Sequence, residues 1–318
     1  MLRAHIVSAA EAALAEPPVV SSKVGKRLSG DSDATKIILV SAAGYALTGD
    51  MRYAARARDE MLSVCAWPDW VPSHYLGTAE VLRGLAFGYD WTFDALTAEE
   101  RRQIRTAIVN RGFGGMSGWN GWDSNTTNWS AVCWQGVLAA ALAIYEDDAT
   151  EAEALVRRAI PALAKSCAPY APNGAYPEGP GYWSYGTGRL CLILDQLDVA
   201  LGTTFGLYEL EGVAATGEYP LAMTGPSGKR FNYSDCSDAG DSYSLPLLYL
   251  AARADRPDWV NREYAAIASL ANGASSMGGL TALDTLLYAR FPHVDAENRI
   301  PLDYYGEGPN PVAVLRES

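Results

Sequence analysis

The segment Tyr176-Pro177-Glu178-Gly179-Pro180-Gly181-Tyr182-Trp183-Ser184-Tyr185-Gly186 is the densest polar–aromatic constellation in the chain. Its prolines and glycines mark a loop that runs into a helix. Tyr182 and Tyr185 are three residues apart, so both face one side of the first helical turn. There the helix macrodipole favours a phenolate. A phenol with an ordinary pKa near about 10 needs such help to act as a general acid or base near neutrality. The competing reading is that the two rings close the rim of a core and leave their hydroxyls in water.

Asn128 stands at the head of a charge-free helical run. It reads either as an N-cap or as a neutral amide that hydrogen-bonds a substrate carboxylate. Five of the nine tryptophans, Trp119, Trp122, Trp129, Trp134 and Trp183, fall in or beside two irregular loops. Flat rings with a polar edge suit stacking on sugars; the alternative is that they wedge between helices. Trp119, Trp129, Trp134, Gln135, Tyr176 and Trp183 are therefore candidate cleft residues. Glu178 and Asp235, the latter in Phe231-Asn232-Tyr233-Ser234-Asp235, are the one attractive carboxylate pair for glycoside hydrolysis, which needs two facing carboxyls. His74 precedes a helix and reads most simply as a surface or cap residue. The chain has neither a Gly-x-Ser-x-Gly elbow nor a phosphate-cradling glycine loop. Three histidines, and five dispersed cysteines with no Cys-x-x-Cys, argue against a metal site and against a disulfide framework. No cofactor is expected.

These residues sit in a chain of 318 with a formal net charge of −12. That balance disfavours nucleic-acid partners and polybasic membrane docking. Trp (9) and Tyr (18) outnumber Phe (6), which favours a carbohydrate cleft over a purely apolar core. Residues 124–145 carry no charge, but Asn, Thr, Ser and Gln interrupt them, so they read as a buried helix and not as a membrane span. Met1 to Pro18 lacks the apolar segment of a signal peptide.

The elements that must position the candidates read as helices almost throughout. Leu76, Ala79, Leu82, Ala86 and Tyr89 recur at helical spacing. Thr97–Glu100 and Thr150–Glu153 read as capping boxes. Asp33 and Asp50 read as N-caps, and Gly49-Asp50 as a tight helix–helix link. Pro161 is expected to kink or restart its helix. Helix pairs are expected to open near residues 33, 75, 128, 181 and 242. In the clearest pair, residues 128–145 carry no charge whereas 150–166 carry several, the pattern of an inner helix covered by an outer one. Repeated inner–outer hairpins predict an all-α fold, an incomplete α/α toroid over residues 1–290, with an open solenoid as the alternative. Residues 112–127, 168–181 and 214–241 are the irregular loops, where function is expected to gather. Residues 291–318 read as an irregular, linker-like tail.

Tyr45 to Tyr53 (YALTGDMRY), Thr78 to Trp91 with Leu96 to Arg101, Asn128-Trp129, Ala175 to Gly186 (AYPEGPGYWSYG) and Phe231 to Asp235 come in an order and spacing that resemble the helical N-terminal domain of heparinase II/III-type polysaccharide lyases. The resemblance covers most of residues 30–318. It implies a toroid followed by a β-sandwich, with uronate polysaccharides cleaved by β-elimination between them and no cofactor. It implies that Asn128 neutralises the substrate carboxylate, that Tyr182 moves the proton with Tyr185 as its backup, and that Glu178 orients Tyr182 or binds sugar hydroxyls. Where many members carry His after the Asn, this chain has Trp129. It ends at Arg316-Glu317-Ser318, where the family would enter its β-sandwich. Secretion or a periplasmic location would follow from the family. A glycoside hydrolase on a similar toroid and a non-catalytic carbohydrate-binding module are the alternatives.

Overall fold

Local punctuation sets some of the helix ends. The computed structural model describes residues 1–118, 121–238, 244–271, 278–288 and 302–317. The described residues are predominantly helical, and their strands form two small antiparallel hairpins. None of their helices is long and apolar enough to cross a membrane. The chain divides into two units by internal contacts.

Unit 1 comprises Met1–Asp123, Val132–Ala159 and Met277–Asp284. It opens with α1 (Leu2–Ala13), the hairpin β1 (Ser22–Val24) with β2 (Arg27–Ser29), and α2 (Asp31–Thr48). Then come α3 (Met51–Ala66), α4 (Leu76–Trp91) and α5 (Ala98–Ala107), followed by most of α6 (Asn128–Ala143) and the first part of α7 (Ala149–Cys167). Asp50 caps α3 by accepting from the Arg52 backbone N–H at 2.9 Å, and Thr97 and Glu100 close a reciprocal capping box on α5. Two expected caps lie elsewhere. Gly30 precedes α2, which places Asp33 inside its first turn. The α7 helix starts at Ala149, which places Thr150 inside the helix, and it runs unbroken through Pro161. Pro161 is exposed, so the ring meets solvent while the flanking turns keep the helix together.

The inner–outer pattern of hydrophobicity becomes burial in unit 1. Helices α2 and α4 are buried on nearly all sides and pack on each other. The α3 and α5 helices bury one face and expose charge on the other. From Val132 to Ala141, α6 is buried without interruption. Its approach to α4 is close because residue 136 is glycine: a Cβ there would overlap the Ala79 carbonyl. Gly136→Ala is therefore expected to cost about 1–3 kcal/mol by forcing two buried helices apart. Denaturant unfolding measures it, and an unchanged midpoint would show that α4 and α6 have room to relax.

Unit 2 comprises Ser124–Ala131, Ile160–Ser276 and Thr285–Ser318. It holds the end of α7, then α8 (Gly179–Tyr182), α9 (Gly188–Leu201), α10 (Glu218–Ala222), α11 (Leu245–Ala254) and α12 (Asn261–Ala271), and the end of α13 (Gly279–Tyr288). A π-helical turn over Trp183–Thr187 joins α8 to α9, so residues 179–201 form one helical stretch. The tail expected to be irregular instead contains the hairpin β3 (Asp303–Gly306) with β4 (Val312–Leu315). Hydrogen bonds dock it: Asn173 donates to the Tyr305 carbonyl at 2.5 Å and accepts from the Glu307 N–H, and Asn310 donates to the Pro177 carbonyl at 2.6 Å. Tyr304 is buried beneath it.

Candidate functional site

The centre of the site is a carboxylate, Glu178, at the end of the Pro/Gly loop. It accepts three hydrogen bonds: from the Asn128 backbone N–H at 2.5 Å, from Asn128 Nδ2 at 3.0 Å and from the Tyr176 hydroxyl at 3.1 Å. Residue 128 is the first of α6. A helix start has backbone N–H groups without intrahelical partners and a positive dipole end. Glu178 satisfies one of them from fifty positions away in sequence. The cap of α6 is therefore supplied by Glu178, and the Asn128 amide is a donor held by that same carboxylate. One amide hydrogen and the carbonyl oxygen of Asn128 lie outside this bond.

Tyr176 is buried, and burial pushes its phenol well above the ordinary range, with Tyr170 and Glu178 adding to the rise. It stays a proton donor to Glu178. Its backbone carbonyl in turn accepts from the hydroxyls of Tyr219 at 3.3 Å and Tyr233 at 3.1 Å. These two hydroxyls also meet each other at 2.5 Å. Burial raises both phenols too. Four tyrosine hydroxyls in this region, those of Tyr170, Tyr176, Tyr219 and Tyr233, are thus committed to protein partners. The hydroxyl of Tyr182 is different. Half-buried on the first turn after Glu178, it has no hydrogen-bond partner among the described residues.

Close contact at residue 186 draws the pieces together. A Cβ at Gly186 would stand 2.5 Å from the Tyr176 hydroxyl and 3.0 Å from the Asn128 Cβ. Gly186→Ala is expected to displace both donors from Glu178 while the helix survives. Side-chain amide NMR of Asn128 reads the displacement directly, and an unmoved signal would show that Gly186 is not what packs the cluster. On the far side, the backbone of Tyr233 to Asp235 lies against Gly179 and Gly181.

The remaining candidates divide by exposure. Glu178, Tyr182 and Trp129 are half-buried, while Tyr185 (41% exposed) and Asp235 are open to solvent. All five belong to unit 2 with Asn128. Trp183 is fully buried, and its indole donates to Thr216 Oγ1 at 2.8 Å, so in this structure it packs the core and has no ring face for a sugar. The same holds for Trp134, whose indole donates to the Asp123 carbonyl at 2.8 Å in unit 1. Gln135, also in unit 1, is buried. Both tryptophans took the wedge reading because large rings fill helix interfaces well. Trp122 is buried too, stacked on Tyr75 at 4.9 Å. Trp119 lies outside the described residues.

Two basic residues were missed from sequence. Arg230 reaches Ser184 Oγ at 3.5 Å, and Arg189 lies 5.8 Å from the centre of the Tyr185 ring. They bring positive charge to the Tyr182–Tyr185 turn. Arg189 carried a signal, standing four residues after Tyr185 on one helix face. Arg230 did not, because a loop brings it there. Among the described residues no three His, Cys, Asp or Glu side chains are grouped to hold a metal ion.

Compared with known families and curated proteins, the chain matches no family model and no curated sequence.

Proposed function

We propose that this chain acts on a uronate-containing glycan by β-elimination, on a helical scaffold of the incomplete α/α toroid kind. One observation carries the reading: Glu178 ties the Asn128 amide to the loop that leads into Tyr182, whose hydroxyl, unlike those of Tyr170, Tyr176, Tyr219 and Tyr233, is not committed to a protein partner among the described residues.

The chemistry asks for two things. The proton on the carbon next to the uronate carboxylate is weakly acidic, and hydrogen bonds or cations on that carboxylate stabilise the enolate-like intermediate. The outer Asn128 N–H supplies the hydrogen bond, and Arg189 and Arg230 lie against the turn that carries Tyr185 and Ser184. A side chain must then take that proton and return one to the leaving oxygen. Tyr182 has this role, placed on the first turn of the helical stretch that starts at Gly179. Glu178 works as a positioning residue, since three donors are already aimed at its two oxygens. That geometry suits a residue that holds Asn128 and Tyr176 in place. Trp129, Tyr185 and Asp235, in the same unit, are the proposed sugar contacts.

The test is incubation of the full chain with a panel of uronate polysaccharides, followed by ultraviolet absorbance. Elimination leaves a conjugated, unsaturated uronate, so the expected result is rising absorbance on at least one substrate. New reducing ends without that chromophore would establish hydrolysis and overturn the proposal. Glycan binding without any product would establish a binding module and overturn it equally.

A further inference from the structure

Unit 1 contains a cavity of about 470 Å³ lined by Phe113, Met116, Ser117, Gly121, Asp123 and Arg158 among others. That volume falls in the range of small-molecule sites. The cavity uses none of the Glu178 cluster's residues.

Its polar wall is a fixed pair. Arg158 Nη2 bonds Asp123 Oδ2 at 2.8 Å, and the same guanidinium lies 5.9 Å from the centre of the Trp134 ring. Behind it, Trp134 donates to the Asp123 carbonyl, Trp122 packs edge-on against Trp134 at 5.3 Å, and Tyr75 stacks on Trp122. Tyr75 is itself anchored by donating to the Gly112 carbonyl at 2.7 Å. A buried aromatic stack therefore holds both charged groups in place, while their side chains remain 51% and 32% exposed. Phe113 and Met116 are nearly buried and give the cavity an apolar side. The chain reaches it through a π-helical turn, Ile108–Phe113, a feature frequent at functional sites.

We infer that this cavity is a binding site for a neutral sugar unit, with Asp123 and Arg158 reading two adjacent hydroxyls and Phe113 and Met116 meeting the apolar face of the ring. The chemistry selects that class. A hydroxyl both donates and accepts, so neighbouring hydroxyls can give a hydrogen bond to the carboxylate and take one from the guanidinium. The pair carries no net charge, so it offers no attraction to an anion. A uronate carboxylate would meet Asp123 as a like charge.

The experiment is saturation-transfer NMR on the full chain with two probes, methyl glucoside and glucuronate. Wild type is expected to bind methyl glucoside with a Kd on the order of 1 mM, typical for a polar ligand of so few atoms. Asp123→Asn and Arg158→Gln are each expected to weaken it at least tenfold. Glu178→Gln is expected to leave it unchanged, which separates this site from the one proposed for elimination. Asp123→Asn keeps the backbone carbonyl that holds Trp134, and near-ultraviolet circular dichroism checks that the aromatic stack is intact. Absence of transfer from wild type at tens of millimolar, equal binding by both variants, or tighter binding of glucuronate than of methyl glucoside would each overturn the assignment.

Discussion

Tyr182→Phe is expected to lower kcat for elimination by about 10²–10⁴-fold, the usual worth of a positioned general acid or base. The substitution deletes one oxygen. Among the described residues that oxygen bonds nothing, so no partner is orphaned by its loss. Stability should stay within about 0.5 kcal/mol, as for surface changes away from special features. KM should hold, since the ring remains. Tyr185→Phe is the comparison: exposed, with Arg189 against its ring, it should keep most of the activity. Tyr176→Phe differs again, because it removes a donor from Glu178 and should act by loosening Asn128. Turnover by Tyr182→Phe equal to wild type would remove Tyr182 from the chemistry and leave the Glu178 cluster as a structural joint.

The largest stability effect is expected in unit 1, at Glu60. Its side chain has no solvent exposure and that of Arg56 has 7%, and the two pair at 2.8 Å one turn apart on α3. Glu60 also accepts from the Val19 N–H at 3.0 Å, and Arg56 Nε donates to the Ala13 carbonyl at 2.9 Å. The pair thus fastens the end of α1 and the segment after it to α3. Breaking a buried pair by removing one partner costs about 3–5 kcal/mol, because the other charge is left without compensation. Glu60→Leu should lose that much in denaturant unfolding. Replacing both, Arg56→Met with Glu60→Leu, should recover most of the loss, since an apolar pair of similar volume avoids desolvation altogether. A double variant as unstable as the single one would show that the bonds to Ala13 and Val19, and not the charge, hold the segment.

Much of the scaffold was legible in advance. Helix starts near residues 33, 75, 128, 181 and 242 correspond to helices that begin at Asp31, Leu76, Asn128, Gly179 and Leu245. The capping box at Thr97 and the N-cap at Asp50 are local chemistry, settled within four residues. The contrast between the uncharged helix and its charged partner survives as the unbroken burial of α6 from Val132 to Ala141 against the mixed burial of α7. Thr150 and Asp33 stand inside their helices: a polar residue one or two positions past a helix start has the same composition signature as a cap. The β3–β4 hairpin was illegible because its docking bonds to Asn173 and Pro177 come from residues more than a hundred positions away.

For the candidate site the division is sharper. The amino-acid order by itself determined that Asn128, the loop to Glu178, and Tyr182 with Tyr185 concentrate polar and aromatic groups at helix starts, because Pro, Gly and helical spacing act over a few residues. Only the tertiary structure decided that Glu178 grips Asn128, that Trp134 and Trp183 are core, and that Arg230 comes beside Ser184. A tryptophan's spacing does not say whether its ring meets solvent or a helix, since burial sums contacts from distant segments. Nor does the presence of several tyrosines say which hydroxyl is uncommitted: that depends on which acceptors the packed fold leaves within about 3 Å of each one.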